Sequence, residues 1–593
     1  MHKHPLAAVR SAAMLLLLFA GRVSAQSSVP EVMDALINRL YATQSLEQLY
    51  ALDDARVQSL LLPEERRILA TKHWSFTVDI PAVVSVMRNV EQKIPPFWLA
   101  ESGFAKTDLL VTNVDGWKYE VWQKPVPAGR VELGISSLDE FRPHYFVCVG
   151  PQESGRKVTL SAFHPEGQAV GEMKEGASTY GDWTELVLAE IPGVLRGQVL
   201  LPTTRGRARE ACVVSSFRKT PFPSSRTPGP VFLTWSGDPR VTQDIHWRTN
   251  TEINAGVVRY REKGAAGSFI EVSADCRKME DRLLANDRYC HWFTAALTAL
   301  KPGQAYEYQV GAPDSDNWSQ PADFSTAPSG TAPFSFLYCS DTHNRPDWGD
   351  LLQSVFKLHP EAAFCTVSGD LVGTGLERDD WDQFLNFGEP MFSRRPLMPA
   401  IGNHDAQLGL GPGMFLDILS LPPNGPAAIP PERAYTFSYS NAQFFVLDVM
   451  SDANAQADWL RTELARSTAT WKLAIFHFPL YLVGEEYPEL QEKWASLFDA
   501  YHVDLVLTGH VHNHLRSYPV RGGKRVASPA EGTIYITSVS IPGDRMPNPK
   551  PPLIEAGASG PGFCNLIHID GNRLTFRALA KDGAAKDEFS IQK

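Results

Sequence analysis

The segment "FSFLYCSDTH", residues 334–343, is an apolar run that breaks abruptly into aspartate, threonine and histidine. Its first part reads as a buried β-strand, and the same theme recurs along the chain beyond it. "DLLQSVFKLH" (350–359) has the spacing of an amphipathic helix, and "AAFCTVS" (362–368) is a second apolar strand. "RRPLMPAIG" (394–402) and "AQFFVLD" (442–448) read as strands, "ADWLRTELARS" (457–467) as a helix and "WKLAIFH" (471–477) as a strand. "LQEKWASLFDAY" (490–501) is a helix and "VDLVLTG" (503–509) a strand, with "GTIYITSV" and "CNLIHIDGNRLTFRAL" closing the chain. Strands alternating with helices predict an α/β layered domain with a buried sheet, from about residue 333 to 593.

The residues after each strand carry the chemistry. Asp341-Thr342-His343 follows the first, Gly369-Asp370 the second and Gly402-Asn403-His404-Asp405 the third. The strand at 471–476 ends in His477, and that at 505–508 in Gly509-His510-Val511-His512. Carboxyl ends of strands form the crevice of an open α/β sheet, so residues far apart in sequence converge there. Glycines beside Asp370, Asn403 and His510 let the main chain turn sharply and approach closely.

Carboxylate, imidazole and amide oxygen in one place suit Mn, Fe or Zn better than Ca or Mg. Asp341, His343, Asp370, Asn403, His477, His510 and His512 are too many ligands for one ion. With one bridging carboxylate they suit two divalent ions about 3.5–4 Å apart, a pair that clamps a phosphoryl group and acidifies a shared water. In "GHVHNHLRSYPV" (509–520), alternate residues of a strand end point the same way, which places His510 and His512 on the same metal pair. His514 falls beyond the pattern and reads as a rim or structural histidine.

The chain has 593 residues, too many for one core, with 43% hydrophobic and 21% charged residues, as in soluble globular proteins. A net charge of -11 and a pI near 5.8 argue against nucleic acid or an anionic membrane as a general partner. Residues 1–25 have a basic start, an apolar run to Ala20 and small residues at Val23-Ser24-Ala25, the architecture of a cleaved signal peptide, so an exported protein, periplasmic or extracellular, is expected. No other stretch approaches the length of a membrane span. Seven cysteines are too few for a disulfide scaffold. Cys276 and Cys290 lie close enough in sequence to pair, whereas Cys339 and Cys365 read as buried small hydrophobes.

Residues 26–220 begin helical, with Met33, Leu36, Ile37 and Leu40 at helical spacing. From about 73 they become β-rich, in short runs from "FTVDI" to "REACVVSSF", and a sandwich is expected. This domain carries no recognisable ligand cluster. Trp117, Trp122 and Trp183 read as core aromatics, with a glycan-stacking surface as the alternative, and a glycan or protein partner stays open. "TPFPSSRTPGP" (220–230) is a Pro/Ser linker. Beyond it, 231–328 alternates strand runs and contains "LTALKPGQAYEYQVG", which resembles the fibronectin type III style.

Asp341-x-His343, Gly369-Asp370, Gly402-Asn403-His404-Asp405, His477 and Gly509-His510-x-His512 resemble the motif set of the calcineurin-like metallophosphoesterase superfamily. With the fibronectin-like block before it, the pattern is similar to the purple acid phosphatase branch. The resemblance covers about 231–593 and says nothing of 26–220. It implies a multidomain chain: an N-terminal β-rich domain, a fibronectin III-like β-sandwich, and a C-terminal four-layer α-β-β-α domain. It implies that Asp341, His343 and His512 hold one divalent ion, that Asn403, His477 and His510 hold the other, and that Asp370 bridges both. His404 would be an unligated general acid, oriented by Asp405. Two departures stand out. The purple branch has Gly where this chain has His343, and a metal-binding Tyr where this chain has Gly373. The tyrosinate colour, and with it a ferric first site, is not expected.

Hydrolysis of small phosphomonoesters by metal-bound hydroxide is the activity this implies. Phosphodiesters or nucleotide pyrophosphates are an alternative at the same site, since the motifs barely separate them. A non-catalytic surface-binding protein would show missing ligands, and none is missing.

Overall fold

A computed structural model describes residues 27–141, 143–313, 316–407, 410–481, 487–543, 551–560 and 562–593. The expected signal peptide lies outside the described residues, as does the Trp183 side chain. Among the described residues no helix is long and apolar enough to cross a membrane. The chain divides into two compact units at residues 218 and 219.

The first unit opens with the helix Val29–Thr43, whose buried residues include Met33, Leu36, Ile37 and Leu40. An eight-stranded sheet follows, with Ala82–Asn89 between Phe146–Pro151 and Lys118–Val126, and a three-stranded sheet is centred on Trp74–Val78. Trp117 and Trp122 are partly buried against the cores of this unit. The run "REACVVSSF" is not a strand: Arg205–Ala211 winds as a 3-10 helix.

The second unit begins with a seven-stranded β module, Phe232–Thr234 to Ala322–Ser325. Its longest strand, Ile270–Glu280, pairs first with Gly256–Glu262 and then with Tyr289–Leu297, so it belongs to both halves of the module. Cys276 stands opposite Phe293 and Cys290 opposite Met279 on that ladder. The two thiols are therefore out of register, and no disulfide forms among the described residues. Cys339 and Cys365 are buried, as expected.

The remainder is an α-β-β-α stack. One five-stranded sheet has β1 (Phe334–Cys339) between β2 (Ala362–Val367) and Cys564–Asp570. The second sheet runs Tyr435–Tyr439, β3 (Ala442–Val446), β4 (Trp471–Ile475), β5 (Leu505–Thr508), Ile534–Thr537, His514–Ser517 and Ile554–Ala558. Helices α1 (Pro346–Leu358) and α2 (Arg378–Phe392) pack together on the first sheet's side. The second sheet shows why its strands are apolar throughout. Leu473, Ile475, Leu505, Leu507, Ile534 and Ile536 enter the core between the sheets, whereas Ala474, Val506 and Tyr535 face the outer core with helix Ala453–Arg466. Alternate residues thus fill two cores.

The segment 394–402 is the one misread strand near the site. Leu397 makes only an isolated bridge to Cys365. Met398 N–H donates to Cys365 O and Ala400 N–H to Val367 O, but Pro396 and Pro399 have no N–H, so no regular ladder forms.

Candidate metal centre

Strands β1 and β2 are parallel, as are β3, β4 and β5, so their carboxyl ends open on one edge of the stack. Asp341 and His343 leave β1, Asp370 leaves β2, His477 leaves β4, and His510 and His512 leave β5. Their ligand atoms form three overlapping clusters, each within 4.8 Å: Asp341–His343–His512, His343–Asp370–His404, and Asp370–His477–His510. Asp370 and His343 each belong to two clusters. Asn403 joins through its Oδ1, 3.1 Å from His477 Nε2.

The main chain is strained to do this. Asp341, His343, Asn344, Asp370 and His510 have φ of 49°, 44°, 45°, 51° and 69°, in the left-handed region. Each such residue costs of order 1–3 kcal/mol, held by its surroundings. His510 N–H donates to both Asp341 oxygens, at 3.0 and 2.9 Å, and Ser340 Oγ donates to Asp341 Oδ2 at 2.6 Å. His404 N–H donates to Asp370 Oδ1 at 2.9 Å. Two glycines leave the room. A Cβ at 509 would sit 1.9 Å from Ser340 Oγ and 2.1 Å from Asp341 Oδ2, and one at 402 would sit 2.2 Å from both Asp370 N and Oδ1.

Side-chain partners aim the imidazoles. His477 Nδ1 lies 3.0 Å from Ser368 O, which fixes the tautomer and leaves Nε2 facing Asp370 Oδ2 at 3.2 Å. His343 Nε2 is buried without a hydrogen-bond partner, 3.9 Å from Asp370 Oδ2. His512 Nε2 is 3.5 Å from Asp341 Oδ1. Burial pushes the Asp370 carboxyl up, but His477, His404 and His343 together hold it well below the usual carboxylate range. Burial pushes His477 down, yet Asp370 and Asp341 outweigh it and raise it to about 9. Buried carboxylates facing converging imidazoles, with His343 Nε2 orphaned, form a donor set that fits two divalent cations.

Asp405 corrects one expectation. Its carboxylate does not reach the His404 ring. It accepts from Leu371 N–H and Val372 N–H at 2.9 and 3.2 Å and from Gly402 N–H at 2.9 Å, tying the turn after β2 to the turn before His404. Burial and the neighbouring Asp370 push it up to about 8. The His404 ring is held instead by the main chain, with Nδ1 donating to Gly373 O at 2.7 Å. A carbonyl leaves no mark in a sequence, so sequence reasoning misses this partner.

His514 is structural. It is buried between Ser538 Oγ and Asp587 Oδ2, each 3.1 Å from a ring nitrogen.

Residues 334–514 match the calcineurin-like phosphoesterase family model, and residues 228–326 match that of the purple acid phosphatase N-terminal domain. The chain carries both domains. Probable purple acid phosphatase 20 of Arabidopsis thaliana is 27% identical over 289 residues, 46% of this chain and 65% of that protein. An uncharacterized protein of Mycobacterium tuberculosis is 26% identical over 275 residues, 38% of this chain. The chain thus spans about half the length of the mycobacterial relative (51%) and just under two thirds of the plant one. The solved purple acid phosphatase PPD1 from yellow lupin seeds shares the fold, with a TM-score of 0.55 at 15% identity over 88% of this chain and 93% of that one.

Proposed function

We propose that the protein is an exported, dinuclear metal-dependent phosphatase acting on small phosphomonoesters. The observation that carries this reading is the sharing of Asp370 between the His343–Asp370–His404 and Asp370–His477–His510 clusters, with His343 joining the first of them to Asp341 and His512. Asp341, His343 and His512 would hold one divalent ion, Asn403, His477 and His510 the other, and Asp370 both. When bound, the pair supplies an acidified water and positive charge at the phosphoryl oxygens.

The chain's own residues do the rest. With Nδ1–H engaged by Gly373 O, His404 has Nε2 left to carry a proton to the leaving oxygen, a contribution worth about 10²–10⁴ in rate. Asp405 keeps the two turns that carry Asp370 and His404 in fixed relation. Gly373 offers no side chain to a metal, so the pair is divalent Mn, Fe or Zn and the tyrosinate band is absent. The basic and apolar leader at 1–25 supports export. We assign catalysis to 333–593, the preceding module to 231–328, and a separate domain to 26–220.

Metal analysis of purified protein, followed by hydrolysis of an aryl monoester and a bis-aryl diester with and without chelator, tests the reading. Two metals per chain and chelator-sensitive turnover favouring the monoester are expected. Diester preference would overturn the substrate class, and protein that binds no metal after reconstitution would overturn the site.

A further inference from the structure

We propose that Asn344 is the positioning residue for His404, acting through the main chain of Gly373. The inference rests on the reading of His404 as general acid. Asn344 immediately follows the Asp341–His343 motif, is 9% exposed and has φ 45°. Asparagine tolerates that conformation better than most residues, and its carboxamide is fully used. Oδ1 accepts from Gly373 N–H at 2.8 Å, and Nδ2 donates to Asp380 Oδ1 at 3.2 Å and Gln383 Oε1 at 3.3 Å. Asn344 N–H donates to Leu371 O at 3.0 Å, in the same turn.

Gly373 is therefore gripped from both sides, its N–H by Asn344 and its carbonyl by His404 Nδ1 at 2.7 Å. A Cβ there would lie 3.3 Å from Asp380 Oδ2 and 3.5 Å from Asn344 Oδ1. The space a side chain at 373 would enter thus faces Asn344 and its partner Asp380. Gly373-Thr374-Gly375 is a stretch whose glycines confer freedom to turn, so its carbonyl direction needs an external fix. Asn344 supplies it by tying the turn to α2.

That helix is itself anchored to the β module. Arg378 N–H donates to Asp281 Oδ2 at 3.0 Å, Arg378 Nη2 lies 3.0 Å from Asp287 Oδ2, and Arg248 pairs with Asp382. The β module, through α2 and Asn344, thereby sets the direction of the His404 ring. In the reaction a water oxygen bonds to phosphorus as the P–O bond to the leaving group breaks, and the leaving oxygen keeps that electron pair and takes the proton from His404 Nε2. A swing of the Gly373 carbonyl turns that nitrogen away.

The test uses Asn344→Gly, which keeps the left-handed backbone and removes the carboxamide, beside Asn344→Asp, which keeps the oxygen that Gly373 N–H needs. Each full-length, metal-loaded variant is assayed on phosphomonoesters from a nitrophenyl to an alkyl leaving group, with His404→Ala as reference. Expected for Asn344→Gly is a kcat loss of about 10- to 100-fold on the alkyl ester, a loss within about twofold on the nitrophenyl ester, unchanged KM and two metals per chain. Partial recovery of the alkyl rate in Asn344→Asp supports the role of the oxygen. Histidine-selective ¹⁵N spectra of the metal-free protein should lose the hydrogen-bonded Nδ1–H signal of His404 in Asn344→Gly. Equal losses on both esters, or an unmoved Nδ1–H signal, overturn the proposal while a leaving-group-dependent loss in His404→Ala keeps the general-acid reading intact. Equal losses in His404→Ala overturn both.

Discussion

In the first unit His73 and His144 meet ring to ring, whereas in the second unit His343, His477 and His512 converge on Asp341 and Asp370. His73 Nε2 and His144 Nε2 are 2.8 Å apart in stacked rings, and His144 Nδ1 lies 2.6 Å from Tyr145 O. One ring donates, the other accepts, and that pairing uses both facing nitrogens. In the second unit three imidazoles face two carboxylates at 3.2–3.9 Å, and His343, whose Nε2 is orphaned, is held in left-handed backbone; His73 Nδ1 is orphaned too, but faces the single carboxylate of Glu210 at 3.3 Å. Buried histidines are therefore no sign of a site by themselves. Several imidazoles converging on shared carboxylates that sit in left-handed backbone are the sign.

Removing the shared carboxylate strikes the catalytic cluster hardest. Asp370→Asn should reduce hydrolysis to background and bound metal to well under two per chain, by elemental analysis. The same analysis on His144→Gln should read two metals. Metal lost from the His144 variant, or two tight metals with near-normal turnover in the Asp370 variant, would break the contrast between the clusters.

The next effect is selective. His404→Ala should keep both metals and lose about 10²–10⁴ in kcat on an alkyl phosphate, with a smaller loss on an aryl phosphate, whose leaving group needs less protonation. Steady-state kinetics on the two substrates decide it.

Close packing gives a subtler probe. In Gly509→Ala the new methyl would meet Ser340 Oγ and Asp341 Oδ2 at 1.9 and 2.1 Å, so Asp341 must shift. A cost of about 1–3 kcal/mol in denaturant unfolding is expected, with weaker metal binding at the Asp341–His343–His512 cluster. Gly522→Ala, which meets nothing within 4 Å, provides the control for an added methyl, though its φ of 56° carries its own small strain.

Much of 333–593 is legible because strand ends declare themselves: an apolar run stops, and Asp or His comes next. The prolines at 396 and 399 disguise the one segment that runs beside β2 without joining it. Asp405 misleads because adjacency to His404 suggests contact, whereas its carboxylate turns to the backbone amides of Leu371, Val372 and Gly402. The link from Asn344 to His404 stays invisible because it runs through the main-chain N–H and carbonyl of Gly373, atoms that almost every residue has. The His73–His144 pair is 71 residues apart in sequence, and neither histidine sits in a motif.

That pair yields the smallest predicted effect, and its chemistry gives the sign. Burial, with Arg207 and His164 adding to it, pushes His73 well below its ordinary value. Burial, then His73 and Arg207, does the same to His144. Glu210 Oε2, 3.3 Å from His73 Nδ1, opposes this, but burial outweighs it. With its Nδ1–H on Tyr145 O, His144 accepts at Nε2, so protonating it would leave two N–H groups facing each other across the 2.8 Å contact. A group depressed in the folded state stabilises the fold in full above its unfolded pKa, near 6.5, and loses that contribution as pH falls toward the folded value. Unfolding then takes up a proton per histidine, a slope of about 1.4 kcal/mol per pH unit for each. Hydrogen exchange of strands Trp74–Val78 and Phe146–Pro151, corrected for intrinsic rates, should show protection constant from pH 8 to 7 and falling from pH 6 to 5. His144→Gln should flatten that fall. Constant protection down to pH 5 in the unaltered protein would mean that Glu210 takes the charge of a protonated His73 without loss, and the pair would then be an ion-pair site in waiting.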